Sequence, residues 1–285
     1  MTPEDFDYLR KMLRERSGLV LSVEKQYLAE SRLLPLARRH GFASVGELVA
    51  QLKFPSHALA TEVVDAMTTN ETFFFRDRIP FDLLRDTVMP ALMTARSRTR
   101  RIRIWCTAAS TGQEPYSIAM TLREMGVQFA GFQVDILATD LVAGALDRAR
   151  DGLYTQFEVQ RGLPIQLLIK YFTKVGEMWQ IAPDLRAMVQ FRPLNLLNDF
   201  SALGLFDLVF CRNVLIYFDQ PTKISVLNRI ARQMPDDGFL VLGAAETVVG
   251  LTDAFSPHPD KRGLYRPNTV PVGVAGRAER LAVKA

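Results

Sequence analysis

Apolar side chains in the first 78 residues recur at three- and four-residue spacing, as at Phe6, Leu9, Met12 and Leu13, the period of a helix face turned towards a core. Breaks at Ser17-Gly18, His40-Gly41 and Phe54-Pro55-Ser56 divide this stretch into about four short helices, and no strand is predicted in it. Lys25, Arg32 and Arg39 stand seven apart and so share one stripe of a helix, with Arg38 alongside and Pro35 placed to kink it. Such a stripe is either a solvated face or a surface for an acidic partner.

From Arg101 the texture changes to short apolar runs alternating with longer helical stretches. Residues 102–106, 133–139, 189–192, 207–211 and 239–243 read as strands, and 115–125, 142–150 and 221–234 as helices between them. That alternation predicts an α/β domain, a parallel sheet with right-handed crossovers and helices on both faces. The rhythm breaks between Gly152 and Phe191, where 172–174 and 178–181 fit a small hairpin across Val175-Gly176-Glu177, so 152–191 reads as an inserted β-subdomain. The expected division is a helical domain over 1–80, a sheet domain over 81–267 and a disordered tail over 268–285.

Composition narrows the classes. With 285 residues, 48% of them apolar and 23% charged, the chain is neither low-complexity nor wholly disordered. No apolar run approaches the roughly 20 residues needed to cross a bilayer, and the charged start does not suit a signal peptide, so a soluble cytoplasmic protein without membrane insertion is expected. Cys106 and Cys211 support neither a disulfide framework nor a zinc site, and the three histidines, His40, His57 and His258, have no ligand spacing, so no metal is predicted. The net charge of +4 does not demand nucleic-acid affinity. The run Arg96, Arg98, Arg100, Arg101 and Arg103 reads as a solvated connector.

Chemistry concentrates where the strands end. The first strand runs into a turn of small residues, 107–112, ahead of a helix, the place where doubly wound folds bind nucleotides. Gly112 is its only glycine, so the dinucleotide fingerprint is missing, and a nucleoside without a pyrophosphate fits better. Asp140 closes the next strand, as a ribose acceptor or a helix cap. Glu114 opens the first crossover helix, where it complements the helix dipole or meets a ligand cation. S-adenosylmethionine, which carries an ammonium and a sulfonium, suits an acidic lining of Glu114 and Asp140 better than a polyphosphate does. The strand at 207–211 exits through Arg212, Asn213 and Tyr217, polar residues at the same edge.

These motifs bear a resemblance. The chain resembles the CheR-type chemotaxis receptor methyltransferases from about residue 5 to residue 266, most specifically in Thr-Thr-Asn-Glu-Thr-Phe-Phe-Phe-Arg at 68–76, Ala-Ala-Ser-Thr-Gly-Gln-Glu-Pro-Tyr-Ser at 108–117, Ala-Thr-Asp at 138–140, Asn-Leu-Leu at 195–197 and Phe-Cys-Arg-Asn-Val-Leu-Ile-Tyr-Phe at 210–218. The resemblance implies a Rossmann-like class I methyltransferase sheet that transfers methyl groups from S-adenosylmethionine to glutamate side chains of bacterial chemoreceptors, leaving S-adenosylhomocysteine. It further implies that Asn70, Thr72, Arg76, Glu114, Asp140, Asn195, Leu196, Arg212 and Asn213 surround the cofactor, with Asp140 on the ribose and Asn195 and Leu196 at the adenine. Arg76 and Tyr217 would lie beside the transferred methyl, and Arg32, Arg38 and Arg39 would face the acidic receptor. One departure is visible. Members that dock on a C-terminal receptor pentapeptide carry a longer, glycine-containing hairpin loop than 173–180 allows, so docking without the pentapeptide is expected. The Asn/Asp-Pro-Pro-aromatic signature of amino-group methylases is absent after the fourth strand, which argues against a nucleic-acid partner; a non-catalytic cofactor sensor is the remaining alternative.

Overall fold

The computed structural model describes residues 1–54, 56–126 and 131–268. The expected tail therefore lies outside the described residues except for Asn268, whose amide donates to the Ala254 carbonyl at 2.9 Å. Four helices make the N-terminal lobe: α1 (Pro3–Ser17), α2 (Gln26–Arg39), α3 (Val45–Leu52) and α4 (His57–Met67). Their starts are written locally. The hydroxyls of Thr2, Ser44 and Ser56 accept from the amides of Asp5, Glu47 and Leu59, satisfying donors that a helix cannot satisfy itself. Phe6, Leu9, Leu13, Leu33, Leu48 and Val63 interlock in a core of the lobe's own, and α2 runs on through Pro35.

Beyond this lobe, the segment 68–78 leads into α5 (Ile79–Leu83), a π-helical turn (Leu84–Val88) and α6 (Met89–Ala95). The sheet domain follows as β1 (Arg101–Cys106), α7 (Gln113–Glu124), β2 (Gln133–Asp140), α8 (Ala143–Asp151), β3 (Leu153–Thr155), α9 (Gln156–Gln160), α10 (Ile165–Tyr171), β4 (Phe172–Val175), β5 (Met178–Ile181), α11 (Pro183–Arg186), β6 (Val189–Pro193), β7 (Leu208–Cys211), α12 (Gln220–Ala231), β8 (Phe239–Leu242), β9 (Phe255–Pro257) and β10 (Leu264–Pro267). The main sheet is ordered β6-β2-β1-β7-β8-β10-β9, its first five strands parallel and β10 antiparallel to both of its neighbours, β8 and β9. A separate antiparallel sheet, β3-β5-β4, is inserted between β2 and β6.

Strand alternation sorts the core into two layers. Ile102, Ile104, Cys106, Leu208 and Phe210 pack on one face with α7 and the inserted sheet, while Trp105, Val209, Cys211 and Leu240 face α12. Cys106 and Cys211 thus lie on opposite faces of neighbouring strands and cannot be bridged. Phe74 belongs to the sheet's core, its ring 4.9 Å from that of Tyr154, so the segment that follows the helical lobe is pinned to the sheet domain.

The arginine run corrects an expectation. Its acids come from distant positions: Arg96 pairs with Asp207 at 2.8 Å and Asp237 at 2.6 Å, and Arg101 with Asp135 at 2.7 Å, while Arg103 donates to the carbonyl of Leu205 at 2.7 Å. These three arginines brace the entry to β1 and are not a free solvated connector. β3, β9, β10 and the helical stretch from Ile79 to Ala95 are further elements that the apolar pattern did not predict.

Candidate functional site

The carboxyl ends of β1, β2 and β7 open on one cavity of about 940 Å³ including its mouth, lined on the other side by residues 68–72 and Arg76 from the segment that follows the helical lobe. Asn70, Thr72, Arg76, Glu114, Asp140, Asn195, Leu196, Arg212, Asn213 and Tyr217 all line it, so every cofactor and transfer residue expected from the sequence is brought to one place. Leu19, Leu141, Leu194, Val214 and Phe218 supply apolar wall.

The turn after β1 is shaped by its backbone. Gly112 sits at φ +93°, where an added Cβ would lie 2.9 Å from that of Ala149 and 3.1 Å from the Tyr154 hydroxyl, so only glycine fits. Ser110, at φ +49°, donates its amide to Asp140 Oδ2 at 2.7 Å and its hydroxyl to the Asn70 carbonyl at 2.8 Å. Asp140 Oδ1 accepts from the Val142 amide at 3.0 Å. Asp140 thus ties the turn after β1 to the chain that enters α8, and since a carboxylate has about four acceptor positions, room remains for a ligand's hydroxyls. Burial pushes its carboxyl above the usual range, against the backbone amides that favour the anion.

Arg212, 4% exposed, lies at the centre of a charge network. Its Nη1 donates to Glu114 at 2.7 Å, and its Nη2 to Asp77 at 2.7 Å and to the Arg76 carbonyl at 3.0 Å. Burial raises the Glu114 carboxyl and the guanidinium opposes it. Glu114 is therefore matched by a protein cation, beyond the helix-dipole role its position suggests. Arg76 differs: it donates to the Glu71 carbonyl at 3.0 Å, lies over the Phe73 ring, and makes no ion pair among the described residues. The backbone around the cavity is strained, with Phe75, Asp77, Arg78, Ser110 and Asn213 all at positive φ.

Contacts between the lobes converge here too. The Asn195 amide group donates to the Arg16 carbonyl at 2.6 Å, the Val20 amide to the Tyr217 carbonyl at 2.9 Å, and the Phe75 amide to the Ser117 hydroxyl at 3.0 Å. Asn195 therefore holds the helical lobe as well as lining the cavity.

Comparison with known proteins places the chain. Residues 4–68 match the all-alpha domain of CheR methyltransferases and residues 70–264 their SAM binding domain. The chain belongs to the CheR methyltransferase family. Similar proteins include chemotaxis protein methyltransferase 1 of Pseudomonas aeruginosa, 44% identical over 88% of this chain and 93% of that protein, and chemotaxis protein methyltransferase Cher2 of Pseudomonas putida, 41% identical over the same shares. Chemotaxis protein methyltransferase 1 of Vibrio cholerae is 41% identical over 86% of this chain and 90% of its own length. As a CheR methyltransferase the chain uses S-adenosylmethionine. The cavity's lining fits it: carboxylates and amides amid aliphatic walls and, among the described residues, no cluster of free cations of the kind phosphates need.

Two placements depart from the sequence reading. Arg32 does not present itself to a partner, because its Nη1 donates to the Met67 carbonyl at 2.6 Å and its Nη2 to the Thr69 hydroxyl at 2.9 Å, tying α2 to the start of the cavity wall. Arg39 is exposed and paired with Glu62 at 2.6 Å, while Arg38 is exposed with no ion pair among the described residues. Glu246, absent from every motif, accepts hydrogen bonds from the amides of Asn213, Val214, Ile216 and Gly243. Its partners are backbone groups, which leave no side-chain signature in a sequence.

Proposed function

We propose that this CheR methyltransferase esterifies glutamate side chains of bacterial chemoreceptors in the cytoplasm. Arg76 carries the reading, as a cation without an ion pair among the described residues at a cavity whose other lining charges are already engaged: Glu114, Asp140 and Arg212 are buried, and the exposed Glu71 pairs with Arg161. A glutamate acceptor, with an ordinary pKa of about 4.3, arrives ionised and needs a cation to orient it but no general base. No histidine lines the cavity.

When bound, S-adenosylmethionine supplies a methyl group on a sulfonium sulfur. A glutamate oxygen held in line with it would take that methyl, the electron pair of the carbon–sulfur bond being left on sulfur, and no proton would move. Opposite charges cancel, so the apolar wall that excludes water favours the transition state. Contact of Arg76 through one nitrogen would align the carboxylate without quenching it. The Tyr217 hydroxyl is suited to a single hydrogen bond beside the transfer point. Asp140 and Asn195 are read as holding the nucleoside.

The β4–β5 turn is only Gly176-Glu177, since Val175 pairs with Met178. This brevity supports receptor docking without the C-terminal pentapeptide, and the arginines consumed at β1 support a partner other than nucleic acid. The test is methyl transfer to receptor-containing membranes, scored as alkali-labile ester that releases methanol. Arg76→Ala and Tyr217→Phe are expected to lower kcat by about 100-fold and 10-fold, respectively, with cofactor Kd moving less than threefold. Equal losses in rate and affinity would reject the assigned roles, and alkali-stable product would reject the ester.

A further inference from the structure

The loop that leaves β7 carries Arg212, Asn213 and Tyr217, and its conformation is imposed from outside the transfer motifs. Glu246 Oε2 accepts from the amides of Asn213 at 2.8 Å and Gly243 at 2.9 Å, and Oε1 from those of Val214 at 3.0 Å and Ile216 at 3.3 Å. The carboxylate is nine-tenths buried, so these are charge-assisted bonds shielded from water. Its amides come from the exits of two paired strands, since Cys211 on β7 is in register with Leu242 on β8. Asn213 is held at φ +57°, a conformation that persists only where surroundings enforce it. Gly243 is part of the same device: a Cβ there would lie 2.7 Å from Glu246 Oε2 and 3.0 Å from the Asn213 nitrogen.

We propose that Glu246 is a positioning residue for methyl transfer, an anionic clasp that gathers four backbone amides and thereby fixes Arg212, Asn213 and Tyr217 at the cavity. Its effect on rate rests on the transfer reading above; its effect on the loop does not. A carboxylate serving only to close a turn would leave the rate of the folded enzyme alone, whereas a clasp acting in part through Tyr217 would lose part of its effect once the tyrosine hydroxyl is gone.

The experiment uses the full chain. Glu246→Gln keeps the shape but replaces one acceptor oxygen with a donor, and Gly243→Ala intrudes on the clasp without altering the carboxylate. In folded protein well below its Tm, both are expected to lower kcat by about 30-fold, and Glu246→Gln combined with Tyr217→Phe should fall no more than about threefold below the worse single variant. Hydrogen exchange over 212–217 should be slow in the wild type, although only one 3-10 turn lies there, and about tenfold faster in Glu246→Gln. A kcat within twofold of wild type for the glutamine variant, multiplicative losses in the double variant, or unprotected amides in the wild type would each overturn the clasp. The protection of these amides in the wild type remains a test even where a variant fails to fold. Should the wild type esterify no receptor, the transfer reading fails alone, and exchange together with S-adenosylhomocysteine affinity, expected to weaken in Glu246→Gln through Asn213, still decides the clasp.

Discussion

Among the described residues, the helical lobe buries no polar side chain but Ser17, whereas the carboxyl edge of the sheet buries Glu114, Asp140, Arg212 and Glu246. The described residues of 3–67 hold no non-glycine residue at positive φ, while five cluster around the cavity. The charges of the lobe pair at its surface, as Arg39 with Glu62 and Lys53 with Asp5, where solvent weakens them. Left-handed residues cost on the order of 1 kcal/mol each, and buried ions several more, unless their surroundings compensate. One region is thus built for stability by apolar packing, and the other spends part of that stability on holding charges ready.

The largest effects come from breaking each region in its own way. Removing the guanidinium with Arg212→Ala leaves Glu114 and Asp77 without their cation, and a loss of roughly 3–5 kcal/mol is expected. Leu33→Ala empties a fully buried site in the lobe and is expected to cost about 2–5 kcal/mol. The two should match in urea midpoint yet differ in function: the leucine variant keeps its kcat per folded molecule, and the arginine variant does not. A stable, active Arg212→Ala would show that the edge is not organised by buried charge.

The same division governs what the sequence discloses. β1, β2, β7 and β8 were legible to within a residue or two because their apolar runs are buried on both faces over most of their length, and β6, at the sheet edge, because it alternates buried Val189 and Phe191 with exposed Gln190 and Arg192. β3 and β9 are three residues long with one buried side chain each, too short to show a period, and β10 is no apolar run because exposed Arg266 interrupts it. The helical stretch before β1 is interrupted by Pro80 and Pro90, which read as breaks but stand near the starts of α5 and α6, where proline is tolerated. Cavity residues were legible as motifs because their side chains carry the chemistry. Glu246 was not, since it acts on amides. Of the stripe read through Lys25, Arg32 and Arg39, only Arg32 and Arg39 share α2, Lys25 standing in the 3-10 turn before it, and seven-residue spacing says nothing of what covers a face: the chain leaving α4 covers Arg32.

A smaller effect, confined to the sheet edge, is expected from Asp140→Asn. Losing hydrogen bonds to a charged acceptor is worth about 1.5–3 kcal/mol, so cofactor affinity should fall roughly 10- to 100-fold in calorimetry. The pH dependence has a definite sign. Burial raises the folded carboxyl above its unfolded value, so the folded state takes up a proton more readily. Its ionised form therefore weighs against folding at neutral pH, and that cost is relieved as pH falls through the raised value. Ligand binding runs the other way, because the anion is the acceptor: affinity should decline on acidification from a pH above the ordinary carboxylate range. The asparagine variant should lose that dependence; an unchanged profile would place the titrating group elsewhere.

The smallest expected change in stability, within about 0.5 kcal/mol, belongs to Arg38→Glu on the exposed end of α2, because its side chain is solvated and makes no ion pair among the described residues. Its functional effect tests whether the lobe is more than a support. An acidic receptor surface would meet Arg38 across water, so charge reversal should act on encounter: receptor KM rises several-fold at low salt, the difference shrinks as ionic strength shortens the Debye length towards about 8 Å, and kcat at saturating receptor is unchanged. Arg32→Gln separates surface from scaffold. Because Arg32 holds the Met67 carbonyl and the Thr69 hydroxyl, its loss should loosen the cavity wall and weaken cofactor binding with no salt dependence. If instead Arg32→Gln reproduces the salt-dependent KM of Arg38→Glu, the inward arginine also meets the receptor, and the division between an outer docking face and an inner scaffold fails.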